Sequence, residues 1–187
     1  IDSPRLDVKQ NPLYEDGGFA YLDTHYYGGV KKYQWVTIPL AIHGVIVKKD
    51  GTCVEINIGE NEDDPVFFVS DLLIHLAQEQ LEKKAAKVIE GEALDIIVGN
   101  KPLLIVSAGL EIVPAGKARE AGFDRSMTLA YGQDDRVCAY TSMQAMLDSD
   151  VTDRTMCCIL VDKEEIGSVG ATGMQSHFFE NAVAEVM

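Results

Sequence analysis

The sequence is poor in basic residues, and this shortage narrows the class of protein. Lysine and arginine number 16 against 30 acidic residues in a chain of 187, which gives a formal net charge of −14. Surfaces that bind nucleic acid or anionic membranes need clustered lysine and arginine, so we expect no nucleic-acid partner and no membrane partner. No apolar run reaches the roughly 20 residues of a membrane-spanning helix. The first residues show no basic segment followed by an apolar core, so the sequence predicts no secretion signal.

Cysteine is also scarce, and its spacing is not that of a zinc finger. None of the four cysteines forms a C-x-x-C pair, and we expect the adjacent Cys157 and Cys158 to point to opposite faces of a strand. This pattern is typical of small buried side chains in a reducing compartment. The composition therefore predicts a soluble, cytoplasmic protein.

The first half of the sequence carries strand and turn patterns. Residues 33–58 are rich in strand formers, and "WVTIPLAIHGVIV" is joined to "TCVEINI" by "KKDG". The dipeptide Asp50-Gly51 predicts a tight hairpin turn with positive φ at both residues. Apolar spacing predicts a helix over residues 70–89, with Ser70 as a cap at its start.

The second half, which begins near Leu110, has a different pattern, in which predicted helices alternate with predicted strands. "LEIVPA" predicts a strand, "RVCAYTSMQAMLD" a helix over residues 136–148, "TMCCILV" a buried strand over residues 155–161, and "MQSHFFENAVAEVM" a final helix. Helices alternating with a continuous apolar strand predict a layered α/β domain.

Two adjacent carboxylates, Glu164 and Glu165, follow the predicted buried strand in the stretch "DKEEIGS". Acidic pairs are mostly surface residues, so a solvated loop is one interpretation. The other interpretation is a ligand site, because open α/β sheets bind ligands at the carboxyl ends of their strands.

Further carboxylates come from two other segments. Asp134 and Asp135 precede the predicted helix, where a single acid would suffice as a cap, and Asp2 lies in "IDSP". Carboxylate oxygens, usually joined by imidazoles, can hold two divalent ions about 3.5–4 Å apart. The three segments therefore raise the hypothesis of a metal site. The four histidines lack the H-E-x-x-H spacing, which excludes a zincin site.

Together these segments resemble one known family. "IDSPRLDVK", "GQDDRVCAY" and "DKEEIGSVGATGMQSHFF" are similar to the M18 metalloaminopeptidases, the aspartyl aminopeptidase and aminopeptidase I group, and "VPAGKAREAGFDRSM" resembles the bacterial members. The resemblance implies a phosphorylase/hydrolase-like α/β catalytic domain interrupted by a β-rich insertion domain that makes oligomer contacts. Residues 1–13 and 106–187 would then be parts of the catalytic domain, and residues 14–105 the insertion.

The resemblance also implies roles for particular residues. Asp2 matches the aspartate that orients a metal-binding histidine, and Asp135 matches the carboxylate that bridges two zinc ions. Glu164 matches the general base, and Glu165 matches a ligand of one zinc ion. His75 resembles an insertion-domain histidine that reaches toward the active site of a neighbouring subunit, although a packing role is an open alternative.

The sequence departs from the family pattern in three places. The first metal-binding histidine of the family would fall two residues before Asp2, and a further aspartate and a late histidine ligand would fall beyond Met187. The region around residues 102–105 is shorter than in the family. We therefore expect this sequence to be a subset of a longer enzyme.

Two functions follow from these observations. The first is a dinuclear zinc aminopeptidase that acts on peptides and self-associates into a large homo-oligomer, which by resemblance would be a dodecamer. The second is a noncatalytic, truncated relative whose β-rich segment serves only in assembly.

Overall fold

The structure, a computed structural model, describes residues 3–101, 109–150, 153–165 and 167–187. These residues form two compact units. One unit is Arg5–Ala118, and the other is Arg119–Met187 together with the described part of Ile1–Pro4.

The unit Arg5–Ala118 is built around a six-stranded antiparallel sheet. The strands are β1 (Arg5–Asp16), β2 (Phe19–Tyr27), β3 (Leu40–Val47), β4 (Cys53–Ile58), β5 (Ile96–Gly99) and β6 (Gly109–Pro114). Their order across the sheet is β4-β3-β6-β1-β2-β5. The strand predicted from "LEIVPA" is confirmed as β6.

A short segment that includes Phe67 and Phe68 joins two strands of this curled sheet. The backbone groups of Leu40 and Phe67 exchange hydrogen bonds of 2.8 and 3.0 Å, and the Ile97 N–H donates to the Phe68 carbonyl at 2.9 Å. Leu40 begins β3 and Ile97 lies in β5. The segment therefore links the β5 edge to the start of β3.

The inner face of the curled sheet holds the apolar core. Leu6 on β1 and Ile42 on β3 both pair with Ile112 on β6, and the three side chains are 0%, 6% and 0% exposed. Burying a side chain of this size contributes about 1.5–3 kcal/mol. The same core contains Leu22, Trp35, Leu40, Val69, Leu94 and Ile96.

The predicted β3–β4 hairpin is confirmed, but the predicted turn geometry is wrong. The Gly51 N–H donates to the Lys48 carbonyl at 2.9 Å, and the Lys48 N–H donates to the Thr52 carbonyl at 2.9 Å. Of Asp50 and Gly51, only Gly51 has a positive φ, 82°. The loop therefore has three residues and needs a single left-handed residue, which is the position that glycine fills.

The helix predicted over residues 70–89 is wrong. Two single-turn helices stand there instead, α1 (Gln78–Leu81) and α2 (Ala85–Val88). Leu72, Leu73 and Leu76 are 55%, 72% and 71% exposed. Most helical stability in proteins comes from packing an apolar face, and these leucines remain uncovered, so their spacing does not produce a helix.

The sheet extends the unit beyond the predicted insertion of residues 14–105. Strands β1 and β6 pair with each other inside the sheet, so the structure sets the bounds of the unit at Arg5 and Ala118. Backbone pairing holds both strands in the sheet although they carry residues that were assigned to the catalytic domain. The assignment of catalytic and assembly roles to the two units stays a prediction.

The other unit contains a two-stranded antiparallel ribbon and two longer helices. The ribbon is formed by β7 (Arg119–Ala121) and β8 (Met127–Leu129), and the helices are α3 (Gln133–Leu147) and α4 (His177–Val186). Both predicted helices are confirmed, with shifted starts. In the described ranges, every helix is too short or too polar to span a lipid bilayer.

The buried strand predicted over residues 155–161 is wrong. The backbone there is not assigned to a strand, and Met156, Ile159 and Leu160 are 39%, 42% and 48% exposed. A strand needs a neighbouring strand for its backbone hydrogen bonds, and none of the described residues supplies one. The predicted α/β sheet is therefore not formed within the described part of the chain.

The expected burial of the cysteines is also wrong. All four thiols are free; Cys53, Cys138 and Cys157 are exposed and Cys158 is half-buried. Cys157 and Cys158 lie in the segment that was predicted to be a buried strand, so their exposure has the same cause.

Candidate metal-binding and catalytic site

The start of α3 presents two adjacent aspartates. Asp134 and Asp135 lie in its first turn, directly after Gln133, and Gly132 precedes the helix with a φ of 72°. The partial positive charge of a helix N-terminus favours carboxylates at this position. Asp134 is exposed whereas Asp135 is half-buried, so the two acids have different surroundings.

The first described residues of the chain lie against the start of the same helix. The Tyr131 hydroxyl donates a hydrogen bond to the Pro4 carbonyl. A side-chain carbon at Gly132 would come within 2.8 Å of Ser3 Oγ, and the positive φ favours glycine at this position. Ser3 and Pro4, the described part of "IDSP", are therefore adjacent to the start of "GQDD". Asp2 itself lies outside the described residues, and its role stays a prediction.

Glu164 and Glu165 lie in a loop of residues 162–170, here named the Glu-Glu loop, whose backbone is unusual. Left-handed backbone costs a non-glycine residue roughly 1–2 kcal/mol, and such conformations cluster at functional sites. Among the described residues of the loop, Lys163 (61°) and Ser168 (60°) are non-glycine residues with a positive φ, and Gly167 (85°) and Gly170 (155°) have a positive φ as well.

The two glutamates of this loop differ in exposure, as the two aspartates do. Glu164 is exposed and Glu165 is half-buried. The Ser168 N–H donates to the Glu164 carbonyl at 3.1 Å, which closes the loop on the backbone of Glu164. An exposed carboxylate can reach a substrate, whereas a half-buried one is better suited to a fixed position.

Gln175 contacts this loop and was not singled out from the sequence. Its side-chain amide donates to the Gly167 carbonyl, and its backbone N–H donates to the Ser168 carbonyl at 3.3 Å. A side chain that bonds to backbone carbonyls needs no particular residue type at the other end. No spacing in the sequence could therefore have identified it.

The described residues do not complete a metal centre. Across residues 3–101, 109–150, 153–165 and 167–187, no three histidine, cysteine, aspartate or glutamate side chains are grouped so that they could hold a metal ion. Asp135 and Glu165 fit zinc by donor type, because carboxylate oxygens bind it, but two carboxylates are too few for a pair of ions. Asp135, Glu164 and Glu165 lie in one compact unit and His75 lies in the other.

His75 lies in an exposed turn before α1. The neighbouring Leu73, Ile74 and Leu76 are 72%, 64% and 71% exposed. His75 lines a cavity of about 750 Å³ together with Asp71 and several polar residues of the same unit. His75 and these three neighbours are exposed within this unit, and the role of His75 stays a prediction.

Two other histidines each have a carboxylate partner. His43 Nε2 is 2.9 Å from Glu60 Oε1, and His177 Nδ1 is 3.1 Å from Glu180 Oε2 on the first turn of α4. Each of the two pairs is formed between residues of the same unit.

Comparison with protein families gives a match over the whole chain. The model of the family described as "Aminopeptidase I zinc metalloprotease (M18)" matches residues 1–104 and 97–187. The probable M18 family aminopeptidase 1 of Clostridium acetobutylicum is 62% identical over 213 residues, which cover 100% of this chain and 46% of that protein. The chain thus spans about half the length of the curated relatives it matches.

Solved structures agree with this match. The M18-family aminopeptidase of Thermotoga maritima has a TM-score of 0.87 and 45% sequence identity over 100% of this chain and 46% of that one. The S. cerevisiae mApe1 dodecamer has a TM-score of 0.59 at 20% identity, covering 97% of this chain and 46% of that one, which is a likeness of fold alone.

The alignment with one relative also shows a difference in length. It extends over 213 residues with the Clostridium acetobutylicum protein, whereas this chain has 187. The family match consists of two parts, which overlap at residues 97–104. Both observations support the prediction that the region around residues 102–105, which lies outside the described residues, is shorter than in the family.

Proposed function

The chain belongs to the M18 family of aminopeptidases, and we propose that the protein removes N-terminal amino acids from peptides at a dinuclear zinc site. The observation that carries the proposal is that Asp134-Asp135 and Glu164-Glu165 lie in one compact unit. The chain that contains them matches the family over its whole length. In each pair one acid is exposed and the other is half-buried.

Asp135 and Glu165 are the residues proposed to hold zinc. Asp135 would bridge the two ions and Glu165 would bind one of them. Zinc, when bound, lowers the pKa of a bound water to about 7 and polarises a carbonyl group. The half-burial of both acids supports this assignment, because a ligand oxygen must be held in a fixed position. Asp2 would orient a further ligand.

Glu164 is proposed as the general base. Its carboxylate would accept a proton from the attacking water and deliver that proton to the leaving nitrogen of the peptide. The exposure of Glu164 supports this role, since a base must reach the reacting atoms. Two adjacent glutamates thus have different roles, one in metal binding and one in proton transfer.

The unit Arg5–Ala118 is proposed to mediate self-association into a large homo-oligomer. Its turn before α1 exposes Leu72, Leu73, Ile74 and Leu76, and a contiguous exposed apolar patch is typical of an interaction surface. His75 lies among these residues and would reach the active site of the neighbouring subunit. A dodecamer, as in the S. cerevisiae neighbour, is the proposed form.

A cytoplasmic location belongs to the same proposal. All four cysteines are free thiols, and free exposed thiols persist in a reducing compartment.

The experiment is to measure the mass, zinc content and peptidase activity of the full-length gene product. We expect an oligomer that releases N-terminal residues from short peptides, loses this activity with a chelator and regains it with zinc. An oligomer that binds no zinc and cleaves no peptide would contradict the proposal. It would favour the second candidate, a noncatalytic assembly module, which the incomplete ligand set of the described residues supports.

A further inference from the structure

We propose that Gln175 is a positioning residue that holds the Glu-Glu loop, so that Glu164 is presented to the substrate in the correct place. The inference rests on the proposed role of Glu164 as general base. It adds a residue that acts on Glu164 through the backbone of the loop.

Two hydrogen bonds from Gln175 end on consecutive backbone carbonyls of the loop. The side-chain amide donates to Gly167, and the backbone N–H donates to Ser168 at 3.3 Å. The Ser168 N–H in turn donates to the Glu164 carbonyl at 3.1 Å. A short chain of hydrogen bonds therefore leads from Gln175 to the backbone of the proposed base.

The carbonyls that Gln175 holds belong to two residues with a positive φ, which is unfavourable for Ser168 because it is not a glycine. Gly167 has a φ of 85° and Ser168 a φ of 60°. A left-handed conformation at a non-glycine residue persists only where the surrounding structure holds it. Gln175 supplies bonds to both residues, which is what such a loop requires.

The exposed Gln175 lies in a segment that is held by a local turn. It precedes Ser176, the residue before α4, and the Ser176 N–H and Oγ both donate to the Gly173 carbonyl, at 3.0 and 2.7 Å. Gly173 is buried, and a side chain there would collide with the Ser168 carbonyl oxygen. The loop thus packs directly on the backbone that carries Gln175.

The test uses Gln175→Met in the full-length gene product, because methionine keeps the length of the side chain and removes the amide donor. We expect kcat to fall by on the order of 10–100-fold, the range that a small misplacement of a catalytic group produces. KM and zinc content should stay within about twofold of the unmodified protein, since neither substrate binding nor zinc is touched directly.

Two further variants separate positioning from general destabilisation. Gln175→Lys keeps an N–H donor at the end of a long side chain and should recover part of kcat. Gln144→Met removes another exposed glutamine side-chain hydrogen bond, from Gln144 Nε2 to the Asp148 carboxylate at 2.7 Å near the end of α3, and should leave kcat unchanged. Thermal unfolding of all three variants shows whether the folded fraction differs.

Glu164→Gln, measured alongside, distinguishes the possible failures. If Glu164→Gln is inactive while Gln175→Met turns over normally, only the inference about Gln175 is overturned. The inference is also overturned if Gln175→Met loses activity in step with its zinc content or its folded fraction. If Glu164→Gln turns over normally, the proposed role of Glu164 as general base fails, and the inference fails with it.

Discussion

Replacing Gly44 with alanine should strongly destabilise the curled sheet. Gly44 lies on β3 with a φ of 144° and pairs with Leu110 on β6. A Cβ at this position would lie 3.0 Å from the carbonyl carbon of Gly109 and 3.0 Å from the Cα of Leu110, and closer still to the Gly109 oxygen. These are backbone atoms of a paired strand, so they cannot move aside without disturbing the β3–β6 hydrogen bonds.

The size of the effect follows from two terms. Overpacking typically costs about 1–3 kcal/mol, and an unfavourable backbone conformation costs about 1–3 kcal/mol more. The free energy of unfolding should therefore fall by on the order of 2–6 kcal/mol. Small domains are stable by about 5–15 kcal/mol, so the variant loses a large part of its stability.

The fluorescence of Trp35 provides the assay. It is the single tryptophan of the sequence and is 7% exposed in the core of this unit, so urea unfolding changes its surroundings. Gly109→Ala is the control, because among the described residues a Cβ there would meet only the Val45 carbonyl oxygen, at 4.0 Å. Its unfolding free energy should stay within about 0.5 kcal/mol of that of the unmodified protein. Equal urea midpoints for Gly44→Ala and Gly109→Ala would refute the reasoning.

Three further changes should have distinct effects. Thr24→Val should lower the unfolding free energy by about 1–3 kcal/mol, measured in urea, because the buried Thr24 hydroxyl donates to the Leu94 carbonyl at 2.7 Å. Hydrogen bonds from its own loop, chiefly from the backbone N–H of Asn61, hold the pKa of Asp64 below its usual 3.8. The resulting stability is present above pH 3.8 and is lost as the pH falls through the lowered pKa. Asp64→Asn should therefore flatten the acid side of a plot of unfolding free energy against pH. Asp135→Ala in the full-length gene product should lower zinc content and abolish peptide hydrolysis, measured by metal analysis and a peptidase assay.

Each of these changes has a matched control. Thr24→Ser keeps the hydroxyl and should retain more stability than Thr24→Val; the reverse order would rule out the hydrogen bond as the cause. Asp63→Asn removes a charge from the loop that carries Asp64. If it changed the acid side of the plot of unfolding free energy against pH as much as Asp64→Asn does, net charge would be the cause instead of the hydrogen bonds of Asp64. Asp134→Ala, which removes the exposed acid beside Asp135, is the control for Asp135→Ala. Normal zinc content and turnover in Asp135→Ala would defeat its assignment as a ligand.

Local signals in the sequence predicted the elements that depend on local chemistry. The hairpin at Asp50-Gly51 and the helices α3 and α4 formed where turn residues and apolar spacing indicated. The helix over residues 70–89 and the strand over residues 155–161 failed because each needs a packing or pairing partner that local sequence does not reveal. The pairing of β1 with β6 joins residues that are far apart in the chain, so local sequence does not reveal it. This pairing is why the unit spans Arg5–Ala118 and not only residues 14–105.

For the site, the sequence identified the acid pairs but not their surroundings. The spacing of Asp134-Asp135 and Glu164-Glu165 marked both pairs, whereas only the structure distinguishes the half-buried member of each pair. The contacts of Gln175 depend on how the Glu-Glu loop folds back onto the residues before α4. Such contacts involve backbone carbonyls and leave no pattern in the sequence.

The most direct test of the central claim compares Glu164→Gln with Glu165→Gln in the full-length gene product as zinc is added. Loss of a general base should lower turnover of short peptides by about 10²–10⁴-fold without lowering zinc content, and added zinc should not restore it. Loss of a metal ligand should weaken zinc binding first, so added zinc should restore part of the activity of Glu165→Gln. Rescue of Glu164→Gln but not of Glu165→Gln, or full activity in both variants, would contradict the account.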